Sequence, residues 1–268
     1  MPDARLTHTT RATLPFRQRQ QDDDETTAQA NITKQVGVDS DPLVHTETRE
    51  RSQPVRGLAT GSRQDLADYA DKLEAHVGEF QGDGYTYEDD LLNTSVQCIL
   101  ERIKWSLKPG RTDSLQYEAD LQIGRGTMEA QPIRRRNPTY NASMTPMLRV
   151  DGIDLPGMRS YELERTVGAE VNAVFDRSTA ENNDIVVNEG ESTQITFEGT
   201  LTGPLSSRES TDNQLRALAP TSDPVTLETK FPGYSLDGYV LEYVSRQRGN
   251  MGEQRHDYRI VFVEGIKA

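Results

Sequence analysis

The chain has 268 residues, of which only 34% are apolar, and its formal net charge at pH 7 is −13. Arg outnumbers Lys by 24 to 6, against 43 Asp and Glu residues. This balance excludes a general nucleic-acid binder, which needs a basic footprint, and the one cysteine excludes an internal disulfide or a cysteine-based metal site. An acidic, lysine-poor surface is typical of proteins that stay soluble in very high salt, so we expect a halophilic source.

The sequence shows neither a membrane span nor an export signal. No apolar run approaches the length that crosses a bilayer, and the N-terminus lacks the apolar core of a signal peptide. We therefore expect a protein that is made in the cytoplasm and does not insert into a membrane.

The first segment, residues 1–32, is polar and mixed in charge, and it contains the acidic run Asp22–Glu25. With so little apolar surface to pack, it is predicted to be an N-terminal arm that is mobile or ordered by a partner. Leu14–Phe16 is similar to Leu155–Gly157, which would place the start of a first strand inside this arm.

The clearest helix runs from Ser62 to Val77, because apolar residues recur there at helical spacing. Ser62 and Asp65 have the spacing of a capping box, and acidic residues in the first turn suit the helix dipole. The acidic positions expected to face solvent are Asp65, Asp68, Asp71 and Glu74. A shorter second helix is predicted around Glu209–Ala219, stopped by Pro220.

Between the first helix and Cys98, residues 82–90 gather four carboxylates in a segment that reads as a turn. Their spacing is not that of an EF-hand loop, so a solvated loop is favoured over a cation site. Cys98 lies in the next strand, where a small buried apolar side chain is expected rather than a nucleophile.

The second half of the chain repeats a pattern of the first half. Each copy contains two strands of β-branched and aromatic residues around a loop rich in Gly and basic residues, and ends at a glycine. The matched segments are Cys98–Gly124 with Tyr239–Gly265, Gly57–Gly61 with Gly199–Gly203, Lys34–Gly37 with Arg165–Gly168, and Ile99–Glu101 with Val240–Glu242. The alternative is that two β-rich segments share alternation and turn glycines by chance.

The repeat predicts a mainly β (α+β) chain with two tandem modules, each consisting of strands, one flanking helix and a long β-hairpin. The predicted organisation is an arm at residues 1–32, a first module at 33–126, a linker at 127–146 and a second module at 147–268. Within the second module, Met147–Gly152 is predicted to be a strand and turn, and Ile195–Leu201 a half-buried strand.

No constellation of residues points to catalysis. The four histidines are far apart, and the sequence has no phosphate-binding glycine loop, nucleophile elbow or H-E-x-x-H motif. We therefore expect no enzyme activity, no cofactor, and no catalytic or metal-binding residue.

Positive charge recurs at equivalent places in this negative chain. The first hairpin loop is predicted to contain Lys104, Lys108 and Arg111, the second hairpin loop Arg246, Arg248 and Arg255, and the linker Arg134, Arg135 and Arg136. Three roles are open for the hairpin residues: contact with the acidic surface of a neighbouring subunit, lining of a lumen through which DNA passes, or simple exposure in loops. For the linker arginines, contact with a neighbour's carboxylates and plain solvation are both compatible with the sequence.

The order of these elements resembles the tail-tube fold of long-tailed viruses and contractile machines. The segments Phe231–Tyr234, Gly238–Val240 and Tyr258–Phe262 before Gly265 are similar to the last third of distal tail and baseplate proteins. The resemblance covers residues 33–126 and 147–268 and implies that each module is a β-sandwich or barrel. With the halophilic composition, it suggests a tail-tip protein of a haloarchaeal tailed virus.

The resemblance implies a structural virion protein that forms a homo-oligomeric ring at the tail tip, as a hexamer or as a trimer with pseudo-sixfold symmetry. Its partners would be the tail tube protein and baseplate hub or receptor-binding proteins, with DNA only passing through the channel. Tube and tail-terminator roles share the fold and stay open. Two alternative functions belong to other classes: a host-surface module that binds glycans through Tyr85, Tyr87 or Tyr234, and a hydrolase built on carboxylates such as Asp89 and Glu101.

Overall fold

The structure is a computed structural model that describes residues 4–8, 11–18, 25–32, 43–77, 85–107, 113–126, 136–166, 169–172, 184–187, 192–219, 223–248 and 255–265. The first half contains β1 (Ala4–His8), β2 (Arg11–Phe16), β3 (Glu25–Ile32), β4 (Leu43–Thr60), α1 (Arg63–Ala75), β5 (Tyr85–Asp89), β6 (Thr94–Leu107), β7 (Ser114–Ile123) and β8 (Arg125–Gly126). The second half contains β9 (Leu148–Val150), β10 (Ile153–Leu155), β11 (Met158–Thr166), β12 (Ala169–Asn172), β13 (Asp184–Val187), β14 (Ser192–Leu201), α2 (Leu205–Leu218), β15 (Val225–Thr229), β16 (Ser235–Arg248) and β17 (Arg255–Glu264).

The prediction of a mainly β chain is confirmed. A 14-stranded sheet runs in the order β10-β9-β15-β16-β17-β14-β11-β6-β5-β1-β2, and β3, β4 and β7 branch from β6. A second, three-stranded sheet has the order β12-β13-β8. Alternation builds these strands: in β7, Tyr117 and Leu121 are buried, whereas Glu118 and Asp120 lie partly exposed on the opposite face.

The two halves of the chain use the same set of antiparallel pairings. In the first half, β1 pairs with β2 and β5, β6 pairs with β5 and β7, and β4 pairs with β3 and β7. In the second half, β9 pairs with β10 and β15, β16 pairs with β15 and β17, and β14 pairs with β11 and β17. The halves are joined by β6 and β11 within one sheet, so the division into separate domains stays a prediction.

The strand register aligns the two halves differently from the sequence match in one segment, by one residue. Gly57 pairs with Tyr117 and Gly199 pairs with Tyr258, as the matched glycine segments require. In each half, however, the strand before the hairpin carries a β-bulge, with Leu100 pairing Leu121 and Val240 pairing Phe262. Leu100 is therefore equivalent to Val240, and not to Leu241 as the sequence match has it. The match of Lys34–Gly37 falls outside the described residues.

Both predicted helices are present. Ser62 caps α1, since its side chain accepts a hydrogen bond from the Asp65 amide at 3.2 Å. The prediction that Asp71 and Glu74 face solvent is wrong, because each is 1% exposed. The other helix, α2, begins at Leu205, earlier than predicted, and the residue at its N-cap, Pro204, makes no side-chain cap.

Part of the predicted N-terminal arm belongs to the sheet. Strands β1 and β2 form a hairpin whose inner face, Ala4, Leu6, Leu14 and Phe16, is at most 1% exposed. Arg17 then fixes this hairpin to α1 with two hydrogen bonds to the Asp65 carboxylate, at 2.7 and 3.1 Å. The description of residues 1–32 as an arm is thus corrected for this segment, where alternation over short strands buries enough apolar surface to pack.

From Tyr85 onward, the acidic segment at residues 82–90 is not the solvated loop that the sequence favours, and residues 82–84 lie outside the described residues. Its residues Tyr85–Asp89 form β5, and the Arg5 guanidinium binds the carboxylates of Glu88 and Asp90 at 2.7 and 2.8 Å. Asp89 is buried and accepts hydrogen bonds from the Leu91 and Leu92 amides. These carboxylates therefore serve the fold.

Candidate assembly edges

The junction between the two halves is a pair of antiparallel strands. The register of β6 and β11 runs from Leu107 opposite Tyr161 to Arg102 opposite Thr166. On the solvent face, Lys104 binds Glu162 at 3.0 Å and Arg102 binds Glu164 at 3.3 Å. We call this β6–β11 contact the seam.

The other face of the seam is an aromatic cluster. Trp105 is fully buried in β6, and its ring lies 5.2 Å from that of Tyr161 in β11. The edge of Phe231, from the turn between β15 and β16, meets the same indole at 6.5 Å. Because aromatic contacts of this kind bury large areas, the cluster holds the second half firmly on the first.

A buried carboxylate ties the seam to α1. Glu74 accepts hydrogen bonds from the Trp105 indole at 2.9 Å and the Tyr234 hydroxyl at 2.8 Å, and it pairs with Arg136 at 2.5 Å. Arg136 also pairs with Glu264 in β17. Burial raises the pKa of the Glu74 carboxyl, and the charge of Arg136 opposes that shift. Five parts of the chain therefore meet at the Glu74–Arg136 ion pair.

The sequence missed this cluster because its members are far apart in the chain. Arg136 was assigned to a linker, where contact with a neighbouring subunit or plain solvation was expected. Plain solvation is wrong for Arg136, since it binds Glu74 inside the chain. Contact of this linker with a neighbouring subunit stays a prediction. The following residues also pack on α1, where Gln64 donates a hydrogen bond to the Pro138 carbonyl and accepts one from the Tyr140 amide.

The strands equivalent to those of the seam have free edges within the described part of the chain. Trp105 pairs with Tyr117 and Ser245 pairs with Tyr258, so β16 from Glu242 onward is the counterpart of the β6 segment that binds β11. Over the residues that the structure describes, this part of β16 pairs only with β17. Likewise, β3 is the counterpart of β11, and its described pairing is with β4. The described part of the chain thus contains one closed seam and the two halves of an open one.

The turns next to these strands differ in the same way. The turn between β5 and β6 and the turn between β15 and β16 have the same length, with Leu91 equivalent to Phe231. Phe231 is 1% exposed in the seam, whereas Leu91 is 68% exposed and Leu92 is 59% exposed. The open seam therefore has apolar side chains in water.

The predicted basic sites are distributed differently from the prediction. Lys104 and Arg246 lie in strands and not in hairpin loops, and Lys104 is bound by Glu162 within the chain. Arg246 is exposed on β16. Arg248 and Arg255 pair with each other as backbone partners in β16 and β17, and only their backbone is described. The residues outside the described ranges are Lys108, Arg111, Arg134 and Arg135.

Neither alternative site is assembled by the fold. Tyr85, Tyr87 and Tyr234 are at most 4% exposed, so none presents a ring face on which a sugar stacks. Asp89 ends β5, and Glu101 lies at the bulge of β6, about 20 Å further along the strand. These two carboxylates therefore do not form a catalytic pair.

No family model matches this chain, and no curated protein is found to match it. Among the described residues, no three His, Cys, Asp or Glu side chains are grouped so that they could hold a metal ion. The helices described here are too short or too polar to span a membrane.

Proposed function

We propose that this chain is a structural, non-enzymatic protein of a viral tail tip, a distal tail or baseplate ring protein. Copies assemble around the tail axis and connect the tail tube to the baseplate or receptor-binding apparatus. The resemblance of the sequence to tail-tube proteins supports this role, and so does an acidic composition suited to a halophilic virus. Tail tube and tail-terminator roles are the alternatives within the same fold.

The observation that carries the proposal is the open seam. An unpaired strand edge can bind a strand of another chain, because its backbone N–H and C=O groups gain hydrogen-bond partners by pairing. In the proposed assembly, β3 of one copy continues the sheet at β16 of the next, as β11 continues it at β6 within the chain. The contact is head to tail, so it generates a closed ring when the rotation between copies closes.

Charge along these strands supports the same pairing. Strand β16 ends with Arg246 and Arg248 in its sequence, and the sequence leading into β3 is the acidic run Asp22–Glu25. Opposite charges on the two strands favour the pairing of β3 with β16. They disfavour the pairing of either strand with the same strand of another copy. The alternative role of these arginines, lining a lumen for DNA, requires them to face the axis of the ring.

The test is the mass and symmetry of the purified full chain in molar salt, by multi-angle light scattering and negative-stain imaging. A ring of three or six copies with a central hole is the expected result, and the copy number distinguishes a pseudo-hexameric trimer from a hexamer. A chain that stays monomeric at all salt and protein concentrations contradicts the proposal.

A further inference from the structure

We propose that the turn between β5 and β6 of one copy binds against α2 and β16 of a second copy, with Leu91 in the place that Phe231 takes inside the chain. This inference rests on the proposed function, because it names the surface through which the copies join. The partner is a second copy of this chain.

The first support is the equivalence of the two turns. Asp89 pairs with Thr94 across one turn, and the Thr229 amide donates to the Tyr234 carbonyl across the other. The last residue of each turn has a positive φ, +51° at Asn93 and +97° at Gly233. Two turns of the same length, each with a positive φ at its last residue, place their second residues, Leu91 and Phe231, at equivalent positions along the chain.

The second support is the equivalence of the surfaces that receive them. In the first half, a helix side chain reaches the strand beside it, where Glu74 accepts from Trp105 at 2.9 Å. In the second half, Arg216 donates to Ser245, the counterpart of Trp105, at 2.7 Å. The two surfaces differ in that β16 carries a serine where β6 carries the much larger tryptophan.

The third support is the distribution of exposed apolar side chains. The exposed large apolar residues in the described part of the chain are Leu91 at 68%, Leu92 at 59%, Leu205 at 44% and Leu241 at 62%. Two of them lie on the turn. Leu241 lies at the bulge of β16, where the free edge begins, and Leu205 is the first residue of α2. Both sides of the open seam thus present apolar surface whose burial favours association.

The turn is also fixed before it binds. The Asp89 carboxylate accepts hydrogen bonds from the Leu91 amide at 2.9 Å and the Leu92 amide at 3.1 Å. A turn held in this way loses little conformational freedom on association, so more of the apolar contact contributes to affinity. Its exposed leucines are therefore suited to an interface.

The test uses cysteines and a short bis-maleimide on the full chain, since the native Cys98 is fully buried and is not expected to react. The L91C/S245C variant is expected to give a ladder of linked chains. The single variants L91C and S245C give none alone, and their equimolar mixture gives a linked dimer and no larger species. The matched control L91C/Q214C, with a cysteine on the outer face of α2, is expected to give no ladder.

Assembly gives the second readout. In L91S/L92S, the concentration at which rings form is expected to rise by at least about tenfold, because two apolar side chains are lost from the interface. Its thermal unfolding should match that of the wild type, since both leucines are exposed. If the wild type forms rings and L91S/L92S forms them at the same concentration, or if L91C alone gives linked chains, this inference is overturned and the proposed function stands. A wild-type chain that is always monomeric overturns both.

Discussion

A methyl group added to Gly199 would lie 2.4 Å from the hydroxyl oxygen of Tyr258, the residue directly opposite it in β14 and β17. The same relationship recurs in the first half, where a methyl group on Gly57 would lie 2.2 Å from the Tyr117 hydroxyl oxygen. In both halves a tyrosine ring therefore covers a glycine on the facing strand, which explains why the sequence repeats both residues.

Substitution of Gly199 by Ala is expected to lower the free energy of unfolding by about 1–3 kcal/mol, since the buried tyrosine must move to admit the methyl group. Guanidinium denaturation of G199A measures this. The cost should fall in a Y258L background, where the ring is absent. A G199A protein as stable as the wild type would show that Tyr258 has room to shift.

The hydroxyl groups of Tyr117 and Tyr258 should contribute differently to the stability of the fold. Tyr117 donates a hydrogen bond to the Arg17 carbonyl at 2.7 Å, whereas the Tyr258 hydroxyl is buried without a partner in the described structure. We expect Y117F to cost about 1 kcal/mol and Y258F to be neutral or slightly stabilising. The same denaturation assay compares them, and equal losses for both variants would contradict the assignment.

Removal of Arg136 should be among the most damaging single changes. It leaves the buried Glu74 carboxylate without its cation, a loss of about 3–5 kcal/mol in comparable sites. The matched control is R56A, which removes the partly exposed pair with Glu118 and should cost less than about 1 kcal/mol. The double variant E74M/R136M should regain part of the loss, because no buried charge is left unpaired.

Acid should weaken the attachment of the N-terminal hairpin to α1. The hydrogen-bonded Arg17 guanidinium lowers the pKa of the Asp65 carboxyl below its ordinary value of 3.8. The folded state therefore holds its proton less tightly than the unfolded state, and this contribution to stability is complete above the unfolded pKa. It is lost as the pH falls through the lower, folded pKa. Over that pH interval, the free energy of unfolding should fall less in D65N than in the wild type. The same pH dependence in both proteins would contradict the role of this pair.

Cys98 should be inert in the native protein. It is fully buried, and burial raises the pKa of its thiol to about 12, so the reactive thiolate is scarce at neutral pH. We expect native labelling by a maleimide to be at least about a hundredfold slower than labelling in denaturant. Rapid labelling of the folded chain would show that β6 opens at this point.

The sequence predicts structure correctly where that structure depends on neighbouring residues alone. The serine cap of α1, the strand and turn at Met147–Gly152 and the alternation of β14 could all be predicted because they depend on neighbouring residues. The inner face of β1 and β2 also alternates, at Leu6, Leu14 and Phe16, but the surrounding polar residues concealed it.

Contacts between distant segments were not predictable in this way. The burial of Glu74 depends on its contacts with Arg136 and Tyr234, and no local sequence pattern predicts these contacts. The one-residue slip in the repeat has another origin. The hairpin from Leu107 to its partner Leu115 is one residue shorter than the equivalent hairpin from Gln247 to its partner His256. The free edges emerge only when the pairings of the two halves are compared.

Because the seam lies within one chain, its two strands are tethered, and their effective concentration does not depend on how much protein is present. In an assembly that repeats the seam, every second contact is therefore already formed in the monomer, and only the others cost the translational freedom of free chains. The two contacts can also have different strengths, since Trp105 lies at one and Ser245 at the other. A duplicated chain can in this way combine a permanent joint with a reversible one.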